Sequence, residues 1–152
     1  MDWETEILMA ARTILAALLG GLIGFERERH GREAGIRTYA AVALGACVFG
    51  LVSSHVVGSA DPTRIAAGVV TGVGFLGAGV ILREQGRVAG LTTAATIWAT
   101  ASVGLAVAYG MYVLGVLTAA IVFALLAVHH LPSWRHLKGR ANNHPSHPEK
   151  RP

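Results

Sequence analysis

The chain has 152 residues, 53% of them hydrophobic and only 14% charged, with a formal net charge of +4 and a mean hydropathy of +0.50. A soluble domain carries about 25% charged residues, and here the charges fall in short islands between long apolar runs, so an ordinary water-soluble domain is excluded and no nucleic-acid partner is expected. The single cysteine, Cys47, excludes an intrachain disulfide and reads as a small buried hydrophobe.

The N-terminal residues Asp2, Glu4 and Glu6 are acidic where a secretory signal would be basic, so the first apolar segment is expected to stay in the mature protein. Crossing a bilayer takes about twenty apolar residues. Five runs qualify: residues 7–25, 38–57, 65–82, 91–109 and 111–131. The last two divide a 44-residue stretch without Asp, Glu, Lys or Arg (88–131), with Tyr109, Gly110, Met111 and Tyr112 as the turn and tyrosines placed for a membrane interface. The expected fold is all-α, an integral membrane bundle of about five helices over residues 1–131. The tail 132–152, rich in Pro, Asn, His and charge, is expected to be disordered and cytoplasmic.

Lys and Arg counts in the short loops set the orientation. Arg27, Arg29, Arg32 and Arg37 follow the first span, Arg83 and Arg87 the third, and five basic residues the fifth. Arg64 alone lies in the other loops, eleven against one. The expected topology is N-out and C-in.

The third run has no charge for eighteen positions and holds Gly68, Gly72, Gly74, Gly77 and Gly79. In lipid the backbone has no partner but itself, so such a run becomes helical despite its glycines, and small residues let neighbouring helices approach. Residues 65–82 are therefore expected to be the most tightly packed helix. The string from Gly74 to Gly79 lacks the Lys-Ser/Thr ending of a phosphate loop and the spacing of a dinucleotide fingerprint. Asp61 and Pro62 offer an N-cap and a first-turn proline to this helix. Glu28 with Arg32 and Arg29 with Glu33, each at i,i+4, suggest that the first helix continues beyond the membrane until Gly31 and Gly35 interrupt it.

Several residues are candidates for chemistry. Arg12 lies inside the first span, a functional candidate by position, but near enough to the outer end to snorkel, which is the favoured reading. At the inner end Glu26, Arg27, Arg37, Thr38, Arg83, Thr92 and Thr93 should approach one membrane plane and form a polar cluster. It could bind an anion, an ion or a partner, or be inside-positive topology with solvated ion pairs; Glu26 is the residue topology alone does not explain. The hydroxyls of Thr92, Thr93, Thr96, Thr100 and Ser102 form a stripe on the fourth helix, read first as hydroxyls returned to their own backbone. Trp98 falls mid-span in the packing set and wants a partner for its indole N–H. The late histidines (His129, His130, His136, His144, His147) match no zinc spacing. No catalytic constellation is present, no cofactor or metal site is expected, and the chain is read as a non-enzyme.

Taken together, these motifs resemble the MgtC/SapB family of bacterial inner-membrane proteins. The family's Glu-Arg pair falls on Glu26 and Arg27, its G-[IL]-R-T on Gly35 to Thr38, its D-P-x-R-x-A-A from Asp61, its GFLGAG from Gly74, and its GL-[TN]-TAA-x-x-W on Gly90 to Trp98. Gly68 stands where members often carry Gln, Thr92 is one of two usual residues, and longer members add a C-terminal ACT-like domain where this chain has a short tail. The resemblance implies a multi-pass inner-membrane protein of magnesium homeostasis, associated with growth at low magnesium and with virulence. It further implies a regulator of other membrane complexes, the ATP synthase among them; a magnesium or small-solute transporter is the alternative. Lipid is the certain partner on this reading, with homo-oligomers open.

Overall fold

The computed structural model describes residues 2–55, 63–84 and 87–128. The Asp61–Pro62 signal, the centre of the polar break at Gln85 and Gly86, and the tail with its boundary at residue 131 lie outside these. Five helices follow one another: α1 (Trp3–Arg29), α2 (Ile36–His55), α3 (Thr63–Val80), α4 (Leu91–Ala108) and α5 (Tyr112–Val128). Each coincides with one of the five apolar runs to within a few residues. A short antiparallel pair of strands, β1 (Leu82–Glu84) and β2 (Arg87–Ala89), joins α3 to α4 in the register Leu82↔Ala89, Arg83↔Val88 and Glu84↔Arg87. Three-residue strands are too short for period-two patterning, so the polar break carried no strand signal.

Two helices end the same way. At the end of α1 the Gly31 N–H donates to Glu28 O (3.0 Å) and the Arg32 N–H to Arg27 O (3.0 Å), with Gly31 at φ +66°. At the end of α4 the Gly110 N–H donates to Val107 O (3.1 Å) and the Met111 N–H to Ala106 O (2.8 Å), with Gly110 at φ +75°. Both are Schellman closures, in which a left-handed glycine satisfies the last carbonyls and turns the chain back. The extension expected for the first helix therefore stops at Arg29. Glu28 instead reaches across the loop and accepts the Ile36 N–H (3.0 Å), supplying a carboxylate to the N-terminus of α2.

The helix α4 is central and touches the other four, while α1 packs along α2. Ile23, Tyr39, Ala46, Ile97, Val103 and Ala119 fill one buried cluster, and Ala16, Ala43, Cys47, Leu51, Val107 and Ala108 a second. Glycines allow this approach. A Cβ at Gly20 would strike the Tyr39 carbonyl, at Gly24 the Gly35 carbonyl (2.7 Å), at Gly50 the Ala108 Cβ (2.7 Å), and at Gly104 the Ala43 carbonyl. One buried polar contact ties the same elements: Tyr39 Oη and Thr96 Oγ1 lie 2.6 Å apart, between α2 and α4.

The expectation that α3 is the tightest helix is corrected. A Cβ at Gly68, Gly72, Gly74 or Gly79 would meet nothing within 4 Å, and at Gly77 it would make ordinary contact with Ala94 (3.6 Å). Among its described residues Val69, Val73 and Gly77 are buried, Ala66 and Val80 are half-buried, and the others face outward. Glycine content shows how closely a neighbour could approach, not whether the chain supplies one. Trp98 is likewise exposed on the outer face of α4 and does not pack the interior.

Large apolar side chains cover the outside, with Phe75 80% and Val113 83% exposed and Leu18, Phe49 and Leu125 also outward. Such an inside-out surface suits lipid and not water. By length and composition α1, α2 and α4 are long and apolar enough to cross a membrane. The apolar helices α3, with 18 residues, and α5, with 17, reach roughly 26–27 Å at about 1.5 Å per residue.

At the end of the bundle away from the hairpin, Arg12 donates from Nε to Tyr112 Oη (2.7 Å) and from Nη1 to Ala108 O (3.0 Å). Its guanidinium also lies 5.7 Å from the Tyr112 ring centre. The side chain does extend toward that end, as snorkelling requires, but it stops on protein: it caps the last carbonyls of α4 and joins α1 to the α4–α5 turn.

Candidate functional site

The opposite end of the bundle gathers the buried charge. Glu26 and Arg27, in the last turn and a half of α1, are 3% and 4% exposed. They sit there because the small residues Gly20 and Gly24, one face of α1, press that helix against α2 and draw its C-terminal end inward. His30, one turn after Glu26, places Nδ1 2.8 Å from the Glu26 carbonyl oxygen and 3.0 Å from Oε1 of its carboxylate. The Nδ1–H donates to the carbonyl, and the carboxylate lies within ion-pair distance of the same ring.

Arg27 faces the other way, toward α4. Its Nη2 donates to Thr93 Oγ1 (3.3 Å), and its buried Nε has no hydrogen-bond partner among the described residues. It lines a pocket of about 560 Å³ together with Arg32, with Val88, Gly90, Leu91, Thr92 and Thr93 from β2 and the start of α4, and with Leu125, Leu126 and Val128 from α5. The backbone explains why α4 begins at this wall. Gly90 precedes it at φ +86° with its α-carbon against the Val80 carbonyl, a position with no room for a side chain. The helix therefore starts without a side-chain cap and without an acidic residue in its first turn.

The expected cluster is only partly assembled. Arg27, Thr92 and Thr93 meet in the pocket, and Glu26 lies beside them, engaged with His30. Arg37 is exposed at the start of α2 and forms no ion pair among the described residues. Thr38 opens instead into an apolar groove of about 650 Å³ between α2 and α3, lined by Gly45, Phe49, Gly68, Gly72 and Leu76. Arg83 is exposed on β1. In α4 three hydroxyls of the stripe behave as read, Thr96 donating to Thr92 O (2.9 Å), Thr100 to Thr96 O (2.8 Å) and Ser102 to Ala99 O (2.7 Å), whereas the Thr93 hydroxyl accepts from Arg27. Sequence reasoning missed His30, Arg32 and Gly90. The i,i+4 spacing of Glu26 and His30 was a usable signal, and so was a glycine two residues before a pair of threonines.

The MgtC family model matches residues 13–132, most of the chain, from within α1 through α5. This chain belongs to the MgtC family. It is 43% identical over 132 residues to the Escherichia coli K12 protein named "Putative magnesium transporter YhiD", covering 82% of this chain and 61% of that protein. Identity to Protein MgtC of Brucella abortus (strain 2308) is 50% over 111 residues, 73% of this chain and 47% of that one. To Protein MgtC of Salmonella typhimurium (strain LT2) it is 52% over 99 residues, 65% and 42%. The chain thus spans less than two thirds of these relatives. No solved structure matches it. Family membership and three helices of spanning character make it a membrane protein.

Proposed function

We propose that this chain is a non-enzymatic, five-span protein of the bacterial inner membrane, N-out and C-in, that serves magnesium homeostasis by regulating another membrane complex. Arginine placement supports the orientation: Arg27, Arg29, Arg32, Arg37, Arg83 and Arg87 lie at or beside the α1–α2 turn and the strand pair, against Arg12 and Arg64 toward the other end. Magnesium enters through the relative named for its transport and through the relatives named MgtC.

The observation that carries the regulator reading is the outer face of α3. Among the described residues nothing stands within 4 Å of a Cβ added at Gly68, Gly72, Gly74 or Gly79; the first two open on the groove toward α2, and Phe75 projects outward. Glycine stripes in lipid are surfaces for a second transmembrane helix, so the occupant of this face is a transmembrane helix of the regulated complex, for which the ATP synthase is a candidate. The transport reading is favoured by the name of the Escherichia coli relative. One experiment separates them. Purified protein in liposomes should leave magnesium flux at background, while affinity capture from membranes should retain a partner that Gly72→Leu releases. Flux carried by the protein alone, with capture indifferent to Gly72→Leu, would favour transport.

A further inference from the structure

The pocket between the ends of α1, α4 and α5 joins three features that belong together only around an anion. The first turn of α4 presents the N–H groups of Leu91, Thr92 and Thr93 without a side-chain cap, while the Ala94 N–H is already taken by the Gly90 carbonyl (2.9 Å). Such a turn carries the positive end of the helix dipole. Arg27 lines the same pocket, 96% buried, with one guanidinium nitrogen on Thr93 and Nε without a partner among the described residues. A buried arginine donor left unmet is costly unless something accepts from it. Arg32 adds a second guanidinium at the rim. Glu26, the nearest carboxylate in sequence, is engaged with His30 and is not part of the lining.

We propose that this pocket binds a phosphate group, held by Arg27, Arg32, the Thr92 and Thr93 hydroxyls and the first N–H groups of α4. Arginine forks and helix N-termini both match phosphate oxygens. The α5 residues Leu125, Leu126 and Val128 in the lining are apolar and would accept the acyl chains of a phospholipid, whereas inorganic phosphate would use the polar residues alone.

Thermal unfolding of the full chain in a neutral detergent tests this with three probes: phosphatidic acid, inorganic phosphate, and a diacylglycerol with the same chains. The expected result is a rise in Tm with a phosphate-bearing probe and none with diacylglycerol. A rise with phosphatidic acid alone identifies a lipid headgroup, and a rise with both phosphates identifies a free anion. No rise with either overturns the proposal. Arg27→Gln disturbs a buried residue, so the decisive variant is Thr92→Asp. An aspartate in the first turn of α4 suits the helix dipole and preserves the fold, yet repels an anion. It should weaken the apparent affinity by about tenfold or more. Arg64→Gln, at the far end of the bundle, should respond as wild type. A Thr92→Asp protein that still binds as tightly, or an equal loss in Arg64→Gln, would show generic charge attraction and defeat the assignment.

Discussion

Two sets of glycines in this molecule do opposite jobs. In α1, α2 and α4, Gly20, Gly24, Gly50 and Gly104 stand where a Cβ would strike a carbonyl or a methyl of the next helix. They set the distances at which Tyr39, Thr96 and Ala43 meet. In α3 the glycines are denser, yet four of five look into open space. The contrast teaches that a glycine pattern in a membrane helix specifies how near a neighbour can come, and that the neighbour has to be found elsewhere in the structure.

Substitutions by size should break this symmetry of composition most plainly. Gly104→Leu drives a side chain into the Ala43 backbone, which has no soft end to move aside, and overpacking of this kind costs about 1–3 kcal/mol, occasionally more. A large fall in unfolding midpoint in detergent is expected, whereas Gly72→Leu should leave that midpoint almost unchanged. Equal losses at the two positions would mean that α3 is as tightly held as the rest.

A smaller effect is expected where α1 is tied to the α4–α5 turn. Arg12→Met removes both hydrogen bonds to Tyr112 and Ala108, one of them the cap on α4, and bonds to charged groups contribute about 1.5–3 kcal/mol. Tyr112→Phe removes only one of them and should cost less. A double-mutant cycle read by denaturant titration checks whether the two losses are shared, as a direct contact requires.

Below that comes Tyr39→Phe. The Thr96 hydroxyl keeps its bonds to Thr92 O and Thr93 O, so only the link between α2 and α4 is lost. Interhelical hydrogen bonds in membranes average about 0.6 kcal/mol, and a drop of that order in unfolding free energy is expected. Last, Gly68→Ala should be neutral or stabilising by less than about 1 kcal/mol, because it adds a methyl where nothing stands and removes backbone freedom. A clear destabilisation there would place an unseen neighbour on α3.

Most of the helix boundaries were legible because apolar run length and charge islands are properties of the chain alone. The turn at Gly110 was legible for the same reason: glycine between tyrosines interrupts a run too long for one span. What the sequence did not carry is pairing. Glu28 had two local candidates, Arg32 within its helix and the N-terminus of α2 across the loop, and i,i+4 arithmetic favours the nearer. The fold chose the other, since Gly31 ends α1 before Arg32. The polar cluster failed in the same manner. Seven residues near one membrane plane could be listed from span ends, but which of them share a pocket depends on helix rotation, and a rotation of one residue separates Arg27 from Glu26.

The junction after α3 has a mechanical consequence. Gly90 sits against the Val80 carbonyl, and the strand ladder from Leu82↔Ala89 to Glu84↔Arg87 clasps the same place. The helix is thus clasped at one end and held along Val69, Val73 and Gly77, while its glycine face is uncovered, so it can rock on that seam as a lever whose fulcrum is the clasp. With 18 residues at about 1.5 Å each, its arm is about 27 Å, so a tilt of about 10° would sweep the Thr63 end through roughly 5 Å. Anything that grips the open face pulls on that arm, and the fulcrum it turns on lies one residue before the first turn of α4.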